Sequence, residues 1–246
     1  MVVEGLSAAG ATLTSIGNIT DSVNAVITIG GQGILHAGGS IILGDTATDS
    51  VNFGSLDATA GSTIAINENS DMVIERVKAS STHLTSTQTL YAAKVNSNHI
   101  TFIADEMNFT GGKGSIVGYD ILLQPVGKGQ DINVAGSTDA GNDSLDLTTQ
   151  DLAALRDGFS MITIGRASGT GQIFIPYNQF EWRDPVTFHV PDSGIVTVSD
   201  VIPDDFATGT HVDDQDKFNV LTGRGDASFT FLSDSSTIFR LNGNIK

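Results

Sequence analysis

The chain of 246 residues contains no cysteine. That excludes disulfide bracing and thiolate-bound metal centres, and it suits an exported protein that avoids mispaired bridges. Proline is scarce, at five residues, and Lys and Arg number only 12 against 28 Asp and Glu, a formal charge of −16. So acidic a surface repels nucleic acid and anionic membranes, which argues against both as partners. No apolar run approaches the ~20 residues of a membrane-spanning helix. The opening Met1-Val-Val-Glu-Gly-Leu6 has no basic region followed by an apolar core, so no signal peptide is read there. At the other end, Phe239 to Lys246 stops while a strand pattern is still running, and the chain reads as a piece of a longer one.

What the chain has in quantity is glycine, 28 residues, together with abundant Ser, Thr, Asn and Asp. This is the usage of many short strands joined by tight turns. The first ninety residues form a weak repeat. Ile27-Thr-Ile29, Val51-Asn-Phe53 and Met72-Val-Ile74 open successive units at offsets of 24 and 21. Leu56-Asp-Ala58 corresponds to Val77-Lys-Ala79, and Ala37 to Leu43 corresponds to Ala60 to Ile66 at an offset of 23. A period in the low twenties with several three-to-five-residue strands is that of a parallel β-solenoid rung. Alternating residues such as Ile41 and Leu43, or Ile64 and Ile66, point inward, while Gly38, Gly39, Gly61, Asn67 and Asn69 permit corners. No rung can bury its inner face alone. Division by roughly 22 residues gives about eleven rungs and a rod on the order of 50 Å. The expected fold is therefore all-β, a right-handed parallel β-helix over 1–246 as one domain, more regular over 1–100 and less regular over 200–246.

One stretch stands apart. Residues 145–147, 161–164 and 172–175 read as strands around a short helix near 149–157. Thr148 and Asp151 have capping-box spacing, Gly158 suits a left-handed stop, and Leu152 and Leu155 share a face. A helix this short must lie on something larger. The polar run Ser80 to Gln88 reads as a loosened turn or a stack of hydroxyls.

The order Ala104-Asp-Glu-Met-Asn-Phe-Thr-Gly-Gly112, Ile121-Leu-Leu-Gln-Pro125, Asp151-Leu-Ala-Ala-Leu-Arg-Asp-Gly-Phe159 and Ile162-Thr-Ile-Gly-Arg-Ala-Ser-Gly-Thr-Gly171 resembles a module of the filamentous-haemagglutinin-like, β-strand-repeat adhesins of bacterial surfaces. The resemblance covers roughly residues 100–200. It implies a β-helical segment of a secreted or surface-anchored fibre, extracellular, and it brings no catalytic residues.

Candidate sites are few. Asp213, Asp214 and Asp216, with Asp204 and Asp205 near in sequence, offer hard oxygen ligands to calcium, although the spacing is not that of an EF-hand. The bland reading is a solvated acidic loop. The same loop is the best place for paired carboxylates in a carbohydrate-active β-helix enzyme. Arg224-Gly225-Asp226 is an integrin-type tripeptide that also reads as a rung corner. Trp182, the only tryptophan, is a sugar-stacking candidate or a cover for an apolar edge. The five histidines show no metal-binding pair, and no catalytic residue or cofactor other than calcium is indicated. The expectation is a structural and adhesive shaft segment, not an enzyme. Its loops would meet a cell-surface or matrix ligand or a glycan, and its ends would meet neighbouring repeats. A polysaccharide hydrolase or lyase is the first alternative, and a filament or surface-layer subunit associating end to end is the second.

Overall fold

A computed structural model describes residues 1–137, 139, 143–176, 180–189, 195–199, 219–223, 225–232, 238–242 and 244–245. The chain winds as a parallel β-solenoid of about nine turns carrying one short helix. Every strand pairing among the described residues is parallel, and strands such as His99–Ile103 and Met161–Gly165 lie between a counterpart one coil earlier and one a coil later. A coil carries up to three short strands, such as Ser81–Ser86, Thr89–Ala92 and Val95–Asn96.

Stacking turns the inward side chains into columns. One column runs Ile19, Ile41, Ile64, Thr82, Ile100, Ile121, Ile162, Val186, Phe229. A second, two residues on, runs Leu43, Ile66, Leu84, Phe102, Leu123, Ile164, Phe188, Phe231. Alternation along the strands buries these residues, Phe229 and Phe231 only in part, and turns their neighbours outward; in His99–Ile103, Ile100 and Phe102 are buried and His99, Thr101 and Ile103 are not. The one hydroxyl in the first column, Thr82, is buried and is satisfied by Ser97 Oγ at 2.5 Å. Ser80 to Gln88 is neither a loosened turn nor a stack of hydroxyls: Ser81–Ser86 is a strand, Thr82 lies between Ile64 and Ile100, Ser86 lies on Glu68, and Ser86, fully buried, donates to the Ser70 and Thr89 carbonyls.

The repeat was partly legible. Ile27–Ile29 does lie on Val51–Phe53, and Ala37 on Ala60. The third unit slips: Ile74 lies on Leu56 and Val77 on Ala58, offsets of 18 and 19 where the sequence suggested 21. A shorter corner around Asn69, whose Oδ1 accepts the Val51 N–H, accounts for the missing residues. The expected eleven rungs become about nine because the first column twice takes a long step, 41 residues from Ile121 to Ile162 and 43 from Val186 to Phe229. In the first of these the chain doubles back. Ser144–Thr148 pairs with Asp131–Gly136 on the side away from Ile173–Ile175, and the Asp146 N–H reaches Glu106 of the preceding coil.

Corners demand small residues where backbones touch. A Cβ on Gly61 would stand 2.2 Å from the Gly38 carbonyl, and one on Gly38 2.2 Å from that of Ile16. Acidic side chains also close corners. Glu68, 1 % exposed, accepts the Phe53 N–H at 2.5 Å through Oε1, while its Oε2 has no hydrogen-bond partner among the described residues. Burial pushes its pKa up to about 8.

Two outcomes follow. Phe102→Ala, which empties a fully buried place in the second column, lowers unfolding free energy by about 3–5 kcal/mol, whereas Thr101→Ala beside it changes it by less than about 0.5 kcal/mol in the same denaturant titration. Because the Glu68 pKa is raised in the folded chain, the folded state holds a proton that the unfolded state releases. The stability tied to it is complete below the ordinary carboxyl value and is lost as pH rises through about 8. Glu68→Gln therefore flattens that decline and raises the melting temperature at pH ~8.5 by about 2–4 °C, an effect on the order of 1 kcal/mol; a thermal melt at several pH values reads it.

Candidate binding grooves at the ends of the helix

The long step from Ile121 to Ile162 places a helix, α1, Thr149–Ala154, on the flank of the solenoid. Its start is as the sequence suggests: the Thr148 hydroxyl accepts from Asp151 N at 3.2 Å, and the Asp151 carboxylate accepts from Thr148 N at 2.9 Å. Asp151 also accepts the Phe109 N–H at 2.7 Å, across 42 residues, and so ties the helix to the coil beneath. The stop is earlier than expected. The helix ends at Ala154, with Leu155 extended and bridged to Ile116, because Arg156 N donates to the Ile116 carbonyl and returns the chain to strand pairing. Gly158 has a φ of +116°, but in a later turn, where its N–H donates to Asp184 at 2.8 Å.

A groove opens at each end of α1. The one at its N-terminal end, about 760 Å³, is lined by Glu106, Asp139 and Asp151 with Thr89, Tyr91 and Asn108. Sequence reading missed this gathering of carboxyls because Glu106, Asp139 and Asp151 converge only through the doubling back. Its chemistry is restrained. Glu106 accepts Met107 N at 2.9 Å through one oxygen and Asp146 N at 3.1 Å through the other; burial pushes its pKa up to about 8. Burial also raises Asp151, against the opposing hydrogen bonds of Thr148 and Phe109. Both oxygens of each of these two groups are engaged by the chain's own N–H donors, an arrangement that closes turns and does not present a general acid or base to a substrate.

The groove at the C-terminal end of α1, about 370 Å³, lies between the helix and the segment 180–184. Leu152, Leu155, Ile162 and Phe180 give it an apolar wall, and Trp182 also lines it. Lys113, Arg156 and Arg183 line it together with Asp157, Glu181 and Asp184. Trp182 is 1 % exposed, with the rings of Phe180, Phe188 and Phe229 at 5.0, 6.3 and 6.4 Å, each meeting it edge to face. Its Nε1 is buried with no acceptor among the described residues. Arg183 and Asp157 face each other at 3.5 Å, both exposed. Asp184 is buried beneath them. Desolvation raises its pKa, the bond from Gly158 opposes that, and the charges of Asp157 and Asp226 add to the rise.

The structure brings two of the sequence candidates to one corner. Glu181–Trp182 pairs with Thr222–Gly223 of the next coil, and the following turn carries Gly225, at a φ of +73°, over the Arg183 carbonyl. Gly225 and Asp226 are exposed, in accord with a rung corner, while Arg224 lies outside the described residues. Trp182 corrects the stacking reading: its ring is buried among other rings and has no open face for a sugar, so it is the cover of an apolar edge. Asp204, Asp205, Asp213, Asp214 and Asp216 lie outside the described residues.

A gathering that sequence reading did not single out is Asp21, Asp45 and Asp49, each of which offers a carboxylate oxygen within 4.8 Å of the others. Hard oxygen donors of this kind suit calcium. Two of the three already serve the backbone: Asp21 accepts Gly44 N at 2.6 Å, and Asp49 accepts Ala25 N at 3.1 Å and Thr46 N at 2.9 Å. The available signal was the separation of 24 residues between Asp21 and Asp45, one solenoid period, which places the two on neighbouring coils.

Asp151→Ala removes the cap of α1 and orphans the buried Phe109 N–H, so it lowers unfolding free energy by about 2–4 kcal/mol in a denaturant titration near neutral pH.

No family model matches the chain, and no curated protein or solved structure matches it either, so the adhesin-like order of motifs gains no support from relatives and the grooves have to be read from their own chemistry.

Proposed function

We propose that the chain is a structural and adhesive shaft segment of a large bacterial surface fibre, displaying binding surfaces where its coils bulge. The observation that supports this most is the parallel ladder carried from coil to coil around columns of buried, mostly aliphatic and aromatic side chains. Such a rod carries load along hydrogen bonds repeated at every coil, and its side features can vary without disturbing the ladder. The acidic surface keeps it soluble and away from nucleic acid. A polysaccharide hydrolase or lyase is the less favoured reading, since Glu106 and Asp151, in the groove at the N-terminal end of α1, are both held by backbone donors.

Antibodies raised against this chain label intact cells of its source, and the purified protein, incubated with a panel of polysaccharides, generates no new reducing or unsaturated ends. Labelling confined to permeabilised cells contradicts the surface role, and turnover contradicts the non-catalytic one.

A further inference from the structure

One face of the solenoid loses its ladder where the chain doubles back. Glu106–Asn108 pairs with Thr89–Ala92 of the coil before and with no later strand. Ser144–Thr148 pairs with Asp131–Gly136 and with no other strand. The two unpaired edges lie close to each other, and carboxyls take the place of the missing backbone bonds. Glu106 Oε1 accepts Met107 N at 2.9 Å, and its Oε2 reaches over to Asp146 N at 3.1 Å. Asp151 reaches the other way: Oδ1 accepts Phe109 N at 2.7 Å and Oδ2 accepts Thr148 N at 2.9 Å. Each of the two carboxyls thus keeps one oxygen on either side of the break.

The surroundings offer these acids no counter-charge. Glu106 is 1 % exposed and Asp151 3 %, and no Lys, Arg or His is among the described residues that line the groove beside them. The titratable groups facing them are acidic or phenolic. Asp146, buried in Ser144–Thr148, and Asp139, in the segment before it, act on Glu106 by their charge, and Asp139 acts on Asp151 as well. Tyr91 of Thr89–Ala92 lines the groove, and Asp105 adjoins Glu106 in the chain. Carboxyls gathered out of water cannot all ionise, and one without a counter-charge holds its proton. Burial first, then the charges of Asp146 and Asp139, raise the Glu106 pKa to about 8 against its own hydrogen bonds. Burial raises Asp151 in the same direction.

We propose that the break is a proton-held clasp: with its proton, Glu106 together with Asp151 fastens Glu106–Asn108 to Ser144–Thr148, and loss of that proton to water lets this face part while the others stay joined. On those other faces Asp120–Gln124 remains paired with Met161–Gly165, and Ile116 remains bridged to Leu155. Because the proton is bound in the closed form and released in the open one, the hold is complete below the ordinary carboxyl range and is lost as pH rises through about 8. Parting widens the groove and bares two strand edges. The clasp goes beyond the shaft reading and does not depend on where the chain is displayed.

Amide hydrogen exchange on the intact chain, corrected for the intrinsic rate at each pH, reads the clasp residue by residue. Protection of the Met107, Phe109 and Asp146 N–H groups is expected to fall by about tenfold or more between pH ~6 and ~8.5. Ile121 to Leu123 and Ile162 to Ile164, which pair across the same step on another face, keep theirs. Glu106→Gln, which cannot ionise, abolishes the fall. Asp139→Asn, at an exposed position, lessens it, and decides should the first variant not fold. Protection of the three groups that is indifferent to pH, that falls equally at Ile121 to Leu123 and Ile162 to Ile164, or that falls as steeply in the folded variant as in the parent chain overturns the clasp. Any of these leaves the shaft reading standing, since that depends on surface labelling and the lack of turnover.

Discussion

Backbone pairing between successive coils is the constraint from which the other features descend. A strand that lies parallel and in register on the one before it places every side chain above its counterpart one turn earlier. Ile19, Ile41 and Ile64 are then obliged to form a column, as are Leu43, Ile66 and Leu84. The same constraint sets what corners tolerate. Gly61 sits on Gly38 because a Cβ at either place would enter the carbonyl beneath it. It also explains why buried acids appear at turns. Where a strand has no neighbour on one side, or the chain leaves the ladder for a turn, N–H groups lose their ladder partners, and Glu68, Glu106, Asp151 and Asp184 supply oxygens to them.

Variation is confined to places where the ladder can be left and rejoined. Between Ile121 and Ile162 the chain inserts a strand that steps back toward Glu106, then a helix fastened at Asp151, before Arg156 N returns to Ile116. Both described grooves on this flank are by-products of that detour. The one at the N-terminal end collects carboxyls but spends them on turns. The one at the C-terminal end sets an apolar wall beside three basic and three acidic side chains, with the Trp182 ring covered behind it.

What could be read from the residues follows the same division. The architecture was legible because columns leave a trace in sequence: Ala37 to Leu43 and Ala60 to Ile66 share spacing since they do lie on each other. The capping box was legible because it is local, Thr148 to Asp151. The register of the third unit was not, because a corner near Asn69 is shorter than its neighbours and apolar triplets such as Met72-Val-Ile74 fit more than one offset. The grooves were not legible at all. Lys113, Arg156 and Arg183 meet across three coils, and nothing local in the chain announces the doubling back that brings them together. Trp182 was noticed for its rarity, but only its packing shows that its ring is covered by Phe180, Phe188 and Phe229.

The most direct test of the stacked-coil account uses the absence of cysteine, which allows spin labels to be placed at will. Thr20, Ile42, Ala65, His83, Thr101, Leu122 and Thr163 form one outward row, one residue per coil. Pulsed electron–electron spin resonance between a label at Thr163 and one at Ala65, Ile42 or Thr20 should give distances near ~19, ~24 and ~29 Å, rising by the ~4.8 Å of one strand spacing at each step. Distances that fail to increase in that order, or that cluster at one value as in two packed sheets, would contradict it.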